Sequence, residues 1–479
     1  SSAASDVYKR QALNYLAYPQ GSVGTSVLRV RPVVACYPKL YSWWQARSDF
    51  IWGAAKKLLD ELSEYIKARE GERVKLLDPV LVSSLEELYS HEVRNRIVAE
   101  ADAILAVNGG AGAQPVLVGL GDLGLPIVMI GLATLGVEDR EREGVPGPEA
   151  LDAYGELKRR GVPVILAVNY GDVVMGLRVA RCLKALRASR IVVFGTPASY
   201  IKDVVTPLEL LERRLGLEVR IVPLDRLVSV YEAIDPSSAE VREVVERVRS
   251  RASGVTRFVE DAEEAVRDAV RLYLAMKRML AEEGGTATTI DCFGFMDLIF
   301  RERKTLRPPC IALSLLRSEG VPAACEADMD ALVTMIMVAS ISGQPAFMGN
   351  PTYMSPSKGI IRISHCTIPL EMVEDYDIVS FHESGYGATI MGYMRVGETV
   401  TIARVSKGLK RIVMARGRIV RSRIEGSLEC ATRVEIKVGD VDRLIEEIEG
   451  DHHVVVYGDW TRELEHACKV LGIAPVVIS

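Results

Sequence analysis

Apolar and polar positions follow two regimes along the chain. From about residue 30 to 285, short continuous apolar runs alternate with stretches of helical periodicity. RPVVACYP (31–38), ADAILAVNGG (101–110) and LPIVMIG (125–131) read as buried strands, with helical patterns over 49–68 and 84–99. The pattern then restarts with VPVILAVNYG (162–171), RIVVFGTP (190–197) and VRIVPLD (219–225), and with helices near 173–187, 206–215 and 258–283. Continuously apolar strands separated by helices predict parallel sheets covered on both faces. ILAVN occurs twice, at 104–108 and 165–169, which hints at two similar doubly wound units. The charged, glycine-containing GVEDREREGVPGPEA (136–150) is the natural linker between them.

After about residue 344 alternation of period two takes over, in GIIRISHCTIP, ETVTIARVS, KRIVMARGRIV and TRVEIKVG. Side chains alternate across a strand, so these runs predict a small antiparallel sheet or barrel with one wet face. HHVVVYG adds a last strand before a helix at about 461–471. The expected fold class is therefore α/β: two doubly wound, Rossmann-like parallel-sheet domains (23–150 and 151–343), then a mainly antiparallel, barrel-like domain (344–479). Residues 1–22, which lack an initiator Met, are expected to be a leader outside the fold.

Composition narrows the function classes. The 479 residues are too many for one core. The net charge of −5 arises from interspersed acids and bases, leaving no basic tract to follow phosphates, so no nucleic-acid partner is expected. The most apolar stretch, 115–136, is broken by glycines, Asp122 and Pro126 and reads as a buried strand, so no membrane span is expected. The eight cysteines are scattered without a CxxC, which argues against a zinc ribbon and fits reduced thiols in a cytoplasmic protein. Asn and Gln number five each while Glu and Arg abound, a thermophile-like bias.

P-loop, HExxH and GxSxG motifs are absent. NGGAGAQP (108–115) reads as a tight strand-to-helix turn. Polar candidates gather late: five of six histidines follow residue 360. In VPAACEADMDALVTMIMVASISG (321–343) an apolar strand stops at Glu326 and runs into a helix. Open α/β sheets place ligands at such carboxyl ends, and a buried carboxylate needs a partner. Asp328 reads first as a helix N-cap and Asp330 as a first-turn acid favoured by the helix dipole. His365 ends a strand-like run and His452 begins one; each taken singly fits a hydrogen-bonded structural histidine as well as a ligand. Together with Glu326 they make a set suited to divalent Mn, Co, Fe or Zn with open positions. His453 alternates to the other face of its strand and is expected to be a structural neighbour.

Four segments in order resemble the L-fucose isomerase and L-arabinose isomerase superfamily: ACEADMDALVTMIMVASISGQPAFMGNPTYMS (324–355), SHCTIP (364–369), SGYGATIMGYMRVGETVTIARVS (384–406) and GDHHVVVYGDW (450–460). The resemblance is clear over 286–479 and rests on architecture alone before that. It implies Glu326, His365 and His452 as ligands of a divalent metal, with Mn the first expectation. It also implies aldose–ketose isomerisation of an open-chain, fucose- or arabinose-like sugar by proton transfer through an enediolate, Glu326 being both ligand and base. Asp328 is the best remaining acid, and His382 and Glu383 are candidates for sugar hydroxyls. A homo-oligomer, trimer or hexamer, is implied as well. One departure stands out: Asn350 occupies the place of the family's second metal-binding carboxylate. That departure keeps open a non-catalytic sugar-binding relative. RERKTLR (301–307) keeps open enolisation of a phosphorylated or sulfonated sugar, although it reads first as a solvated charged face.

Overall fold

The computed structural model describes residues 27–36, 44–197, 205–425 and 429–479, so the expected leader lies outside the described residues. The chain forms two compact units, one Ser26–Lys184 with Lys469–Leu471 and the other built mainly from Ala185–Cys468 and Gly472–Ser479.

The first unit holds six parallel strands: β1 (Leu28–Ala35), β2 (Val74–Leu76), β3 (Val80–Val82), β4 (Ala103–Asn108), β5 (Ile127–Gly131) and β6 (Val164–Leu166). Their order is β2-β1-β4-β5-β6, with β3 also paired to β1. β4 shows why its sequence lacks alternation. Ala103, Leu105 and Val107 join one buried cluster with Ile51, Leu58, Leu62, Val173 and Leu177, whereas Ile104 and Ala106 join another with Val116, Leu117 and Leu157. Each large apolar side chain so covered contributes about 1.5–3 kcal/mol. VPVILAVNYG, which the pattern places at the opening of a second unit, instead carries β6, and Ile127 pairs with Val164. Both copies of ILAVN therefore feed the same sheet.

In the second unit a four-stranded parallel sheet has the order β11-β10-β7-β8, from β7 (Arg190–Phe194), β8 (Glu218–Val222), β10 (Ala287–Ile290) and β11 (Ala323–Ala324). A three-stranded sheet joins β9 (Gly254–Thr256), β14 (Val373–Ser380) and β15 (Ala388–Met394). The remaining strands are β12 (Phe347–Ser355), β13 (Ile360–His365), β16 (Thr399–Val405), β17 (Arg411–Arg421), β18 (Thr432–Val438), β19 (His453–Tyr457) and β20 (Ala474–Ile478). Six of them close an antiparallel barrel, β16-β19-β12-β13-β18-β17 and back to β16, while β20 runs parallel to β17 outside the ring. The expected alternation is visible in β17, where Arg416, Arg418 and Val420 are exposed between buried Ala415, Gly417 and Ile419. SGYGATIMGYMRVGETVTIARVS is split: its first strand, β15, pairs along its length with β14, and only β16 enters the barrel.

The helix Met329–Ser342 is buried along its whole length, as an all-round apolar sequence requires, and packs against β10, β11, β16 and β19. Its N-terminus therefore faces the barrel. No helix among the described residues is long and apolar enough to cross a membrane.

Candidate active site

β11 ends at Ala324, and the chain turns through Cys325, Glu326 and Ala327 to the N-cap Asp328. Glu326 and Ala327 have φ of 59° and 53°, left-handed values that cost a Cβ-bearing residue about 1–2 kcal/mol each. Surrounding contacts hold this strained turn. Ala327 N–H donates to Ile290 O at 2.9 Å, Glu326 N–H to Cys292 Sγ at 3.2 Å and Cys325 N–H to Met348 Sδ at 3.4 Å. Backbone strain kept up by its surroundings is a mark of functional sites.

Asp328 is wholly buried, and both of its carboxylate oxygens are hydrogen-bonded. Its Oδ1 accepts the Ala331 N–H at 3.0 Å, the expected N-cap; its Oδ2 accepts from Arg404 at 2.9 Å and from His452 Nδ1 at 3.0 Å. Arg404 also donates to the His452 carbonyl at 2.6 Å. Burial opposes the charge on Asp328, but Arg404 and His452 outweigh it and hold the carboxyl well below the usual range. Burial likewise opposes a charged His452, and Asp328 overcomes it and raises the imidazole pKa. With Nδ1 turned to Asp328, the buried Nε2 of His452 has no hydrogen-bond partner and lies 3.7 Å from Glu326 Oε2. A carboxylate behind a histidine whose other nitrogen is free is the usual support of a metal-ligating imidazole.

His365 closes β13. Its Nδ1 meets Thr367 Oγ1 at 2.9 Å, and its ring stands edge-on to His452 with centroids 5.3 Å apart. Burial, then the neighbouring His452, pushes its pKa well below the normal imidazole value, so it is a neutral donor. Two groups of candidate ligand atoms share Glu326: Cys325, Glu326 and His365, and Glu326, Asp451 and His452, each within 4.8 Å. Glu326, His365 and His452 thus come together from three distant segments. Asn350 lies on β12 between the other two strands, opposite Ser364 of β13, and its neighbour Gly349 pairs with His453 of β19. The Oδ1 of Asn350 is buried without a partner. The bare His452 nitrogen beside the Glu326 carboxylate fits a divalent cation.

Asp451 and Cys325 were not singled out from the sequence. The only available signal for Asp451 was its position beside the two histidines in GDHH. Other candidates sit elsewhere. His382 Nε2 contacts Cys430 Sγ at 3.3 Å, and Glu383 pairs with Arg257 at 3.3 Å and Arg433 at 3.8 Å. In RERKTLR, Arg301 pairs with Asp297, Arg303 with Glu232 and Asp268, and Arg307 with Glu260 and Asp268. These guanidinium groups already face carboxylates. His453 is buried at Gly349, and burial drops its pKa to about 3.

Asp330 supplies a pH-dependence free of these ligands. Thr206 N–H donates to its Oδ2 at 2.9 Å, its Oδ1 is unpartnered, and burial raises its pKa to about 6. In the unfolded chain the value is about 4. Between these values the folded chain holds a proton that the unfolded chain has released. This contribution to stability is therefore present below about pH 4 and lost as pH rises through about 6. Asp330→Asn keeps the acceptor for Thr206 and removes the charge. It is expected to stabilise the protein at pH 8 by on the order of 1–3 kcal/mol and to leave it little changed at pH 4. Urea midpoints at the two pH values check this.

The chain matches no protein-family model. It is similar to a sulfoquinovose isomerase of Clostridium sp. (strain MSTE9), with 25% identity over 251 residues, covering 47% of this chain and 54% of that protein. The likeness is to a sugar isomerase. The chain spans about half the length of the curated relative it matches.

Proposed function

We propose that this protein is a metal-dependent aldose–ketose isomerase acting on an open-chain sugar. The observation that carries this reading is the convergence of Glu326, His365 and His452, with His452 Nε2 bare and 3.7 Å from the Glu326 carboxylate. The named relative supports the reaction class.

His452, His365 and Glu326 hold the cation, with the Asn350 carbonyl as a further donor. Asp451, whose carboxylate belongs to the group with Glu326 and His452, supplies the negative charge that Asn350 lacks. A divalent ion held there would supply Lewis-acid stabilisation of negative charge on the sugar oxygens. Glu326 takes the proton from C2 of the aldose and returns it to C1. The hydroxyl proton at O2 leaves as O1 gains one, so the product is the ketose. Asp328 acts as a positioning residue: both of its oxygens are already committed, to Ala331, Arg404 and His452.

The test is metal removal with a panel of aldoses that includes sulfoquinovose and L-fucose- and L-arabinose-like sugars. Ketose formation is expected with at least one of them, lost after chelation and restored by Mn²⁺. Mn²⁺ binding without ketose formation from any aldose would favour a sugar-binding relative, the reading that Asn350 keeps open. Activity unchanged by chelation would remove the metal role.

A further inference from the structure

A second cluster of metal-type side chains lies beyond the site just described. Cys366 follows the last residue of β13, and Cys430 stands two residues before β18; these strands pair as far as His365 opposite Thr432. His382 comes from the turn Phe381–Glu383. Cys430 Sγ lies 3.3 Å from His382 Nε2 and 3.9 Å from Cys366 Sγ, and the three ligand atoms are all within 4.8 Å of one another. Cys366 Sγ is also 3.3 Å from Cys310 Sγ, at the start of the helix Cys310–Ser318. Zinc takes thiolate sulfur at about 2.3 Å and imidazole nitrogen at about 2.0–2.1 Å, so a tetrahedron has edges of about 3.5–3.8 Å. The observed separations bracket those edges.

One further observation points to a ligand. His382 and Glu383 both have left-handed backbone, φ 47° and 57°, and this strained turn presents the imidazole to Cys430.

We propose that Cys366, Cys430 and His382 bind a structural zinc ion. The two ligating thiols release their protons to solvent on binding, and no redox step is involved. Soft thiolates select zinc here, whereas the oxygen and nitrogen donors around Glu326 suit a harder ion. Zinc would tie together the ends of β13 and β18 and the 381–383 turn, and so fix the strand end that carries His365.

Titration of the full chain with Co²⁺ tests this independently of any isomerase assay. At saturation, with the Glu326 site filled beforehand by Mn²⁺, thiolate-to-cobalt charge-transfer absorption is expected with an amplitude of one thiolate-bound Co²⁺ per chain. Cys430→Ser and Cys366→Ser are expected to lose it, His382→Ala to weaken it, and Cys325→Ser to retain it. Three results would overturn the proposal: no such absorption in the unaltered chain, absorption that survives Cys430→Ser, or a disulfide joining Cys366 to Cys310 or Cys430 in the purified protein. His382 is exposed and Cys430 partly so, which keeps their variants folded and the outcome readable.

Discussion

Glu326→Gln is expected to lower kcat for ketose formation by about 10²–10⁴-fold, the usual contribution of a positioned general base. The substitution is nearly isosteric and the side chain is 18% exposed, so the strained turn through Cys325 and Ala327 should survive it. Glutamine keeps a carbonyl donor but cannot accept the C2 proton at neutral pH. Metal binding should weaken as well, because the carboxylate charge beside His452 is lost. Steady-state kinetics at saturating Mn²⁺ separate the two effects. If kcat recovers fully with excess metal, Glu326 is a ligand only and the base lies elsewhere, with Asp451 the next group to test.

The second large effect is on stability. Asp328→Asn keeps a good N-cap for the helix Met329–Ser342, since Asn and Asp cap about equally. It strips the charge facing Arg404, which is only 2% exposed, and breaking a buried pair from one side costs about 3–5 kcal/mol. A melting temperature lower by on the order of 10 °C is expected. Without a carboxylate to orient Nδ1, His452 should also lose about 10–100-fold in metal affinity. Pairing the change with Arg404→Met separates causes: the double variant should regain much of the stability, because no buried charge remains unpaired, but not the metal affinity. A double variant as unstable as Asp328→Asn alone would show that the ion pair is not what the single change removes.

Much of this architecture was legible in local pattern. The apolar runs at β1, β4, β5 and β7 lack alternation because both faces of their sheets are covered; β17 alternates over Ala415–Val420, where one face is wet, whereas β16 and β18 keep the period-two sequence but are buried on both faces. Glu326 was legible for a similar reason, as a carboxylate ending an apolar run beside a helix start. Sheet membership was not. ILAVN at 165–169 looked like a new beginning, yet Val164 pairs with Ile127, because strand neighbours are chosen by the packing of whole layers and not by the strand's own residues. Asp328 shows the limit at a single residue. Its N-cap role follows from local sequence, but its bonds to Arg404 and His452 span 76 and 124 residues.

The sequence by itself determined many of the strands and helices, among them β1, β4, β5, β7 and β17, the barrel-like end and the short list of Glu326, His365 and His452, since each depends on periodicity or on residue type near a strand end. Only the tertiary structure decided that these side chains meet, that Asp451 joins Glu326 and His452, and that Cys366, His382 and Cys430 converge. The physical reason is that a polar cluster is assembled by closing a barrel against a buried helix. That closure brings together residues as far apart as Asp328 and His452, 124 positions, and it leaves no periodic trace in any one segment.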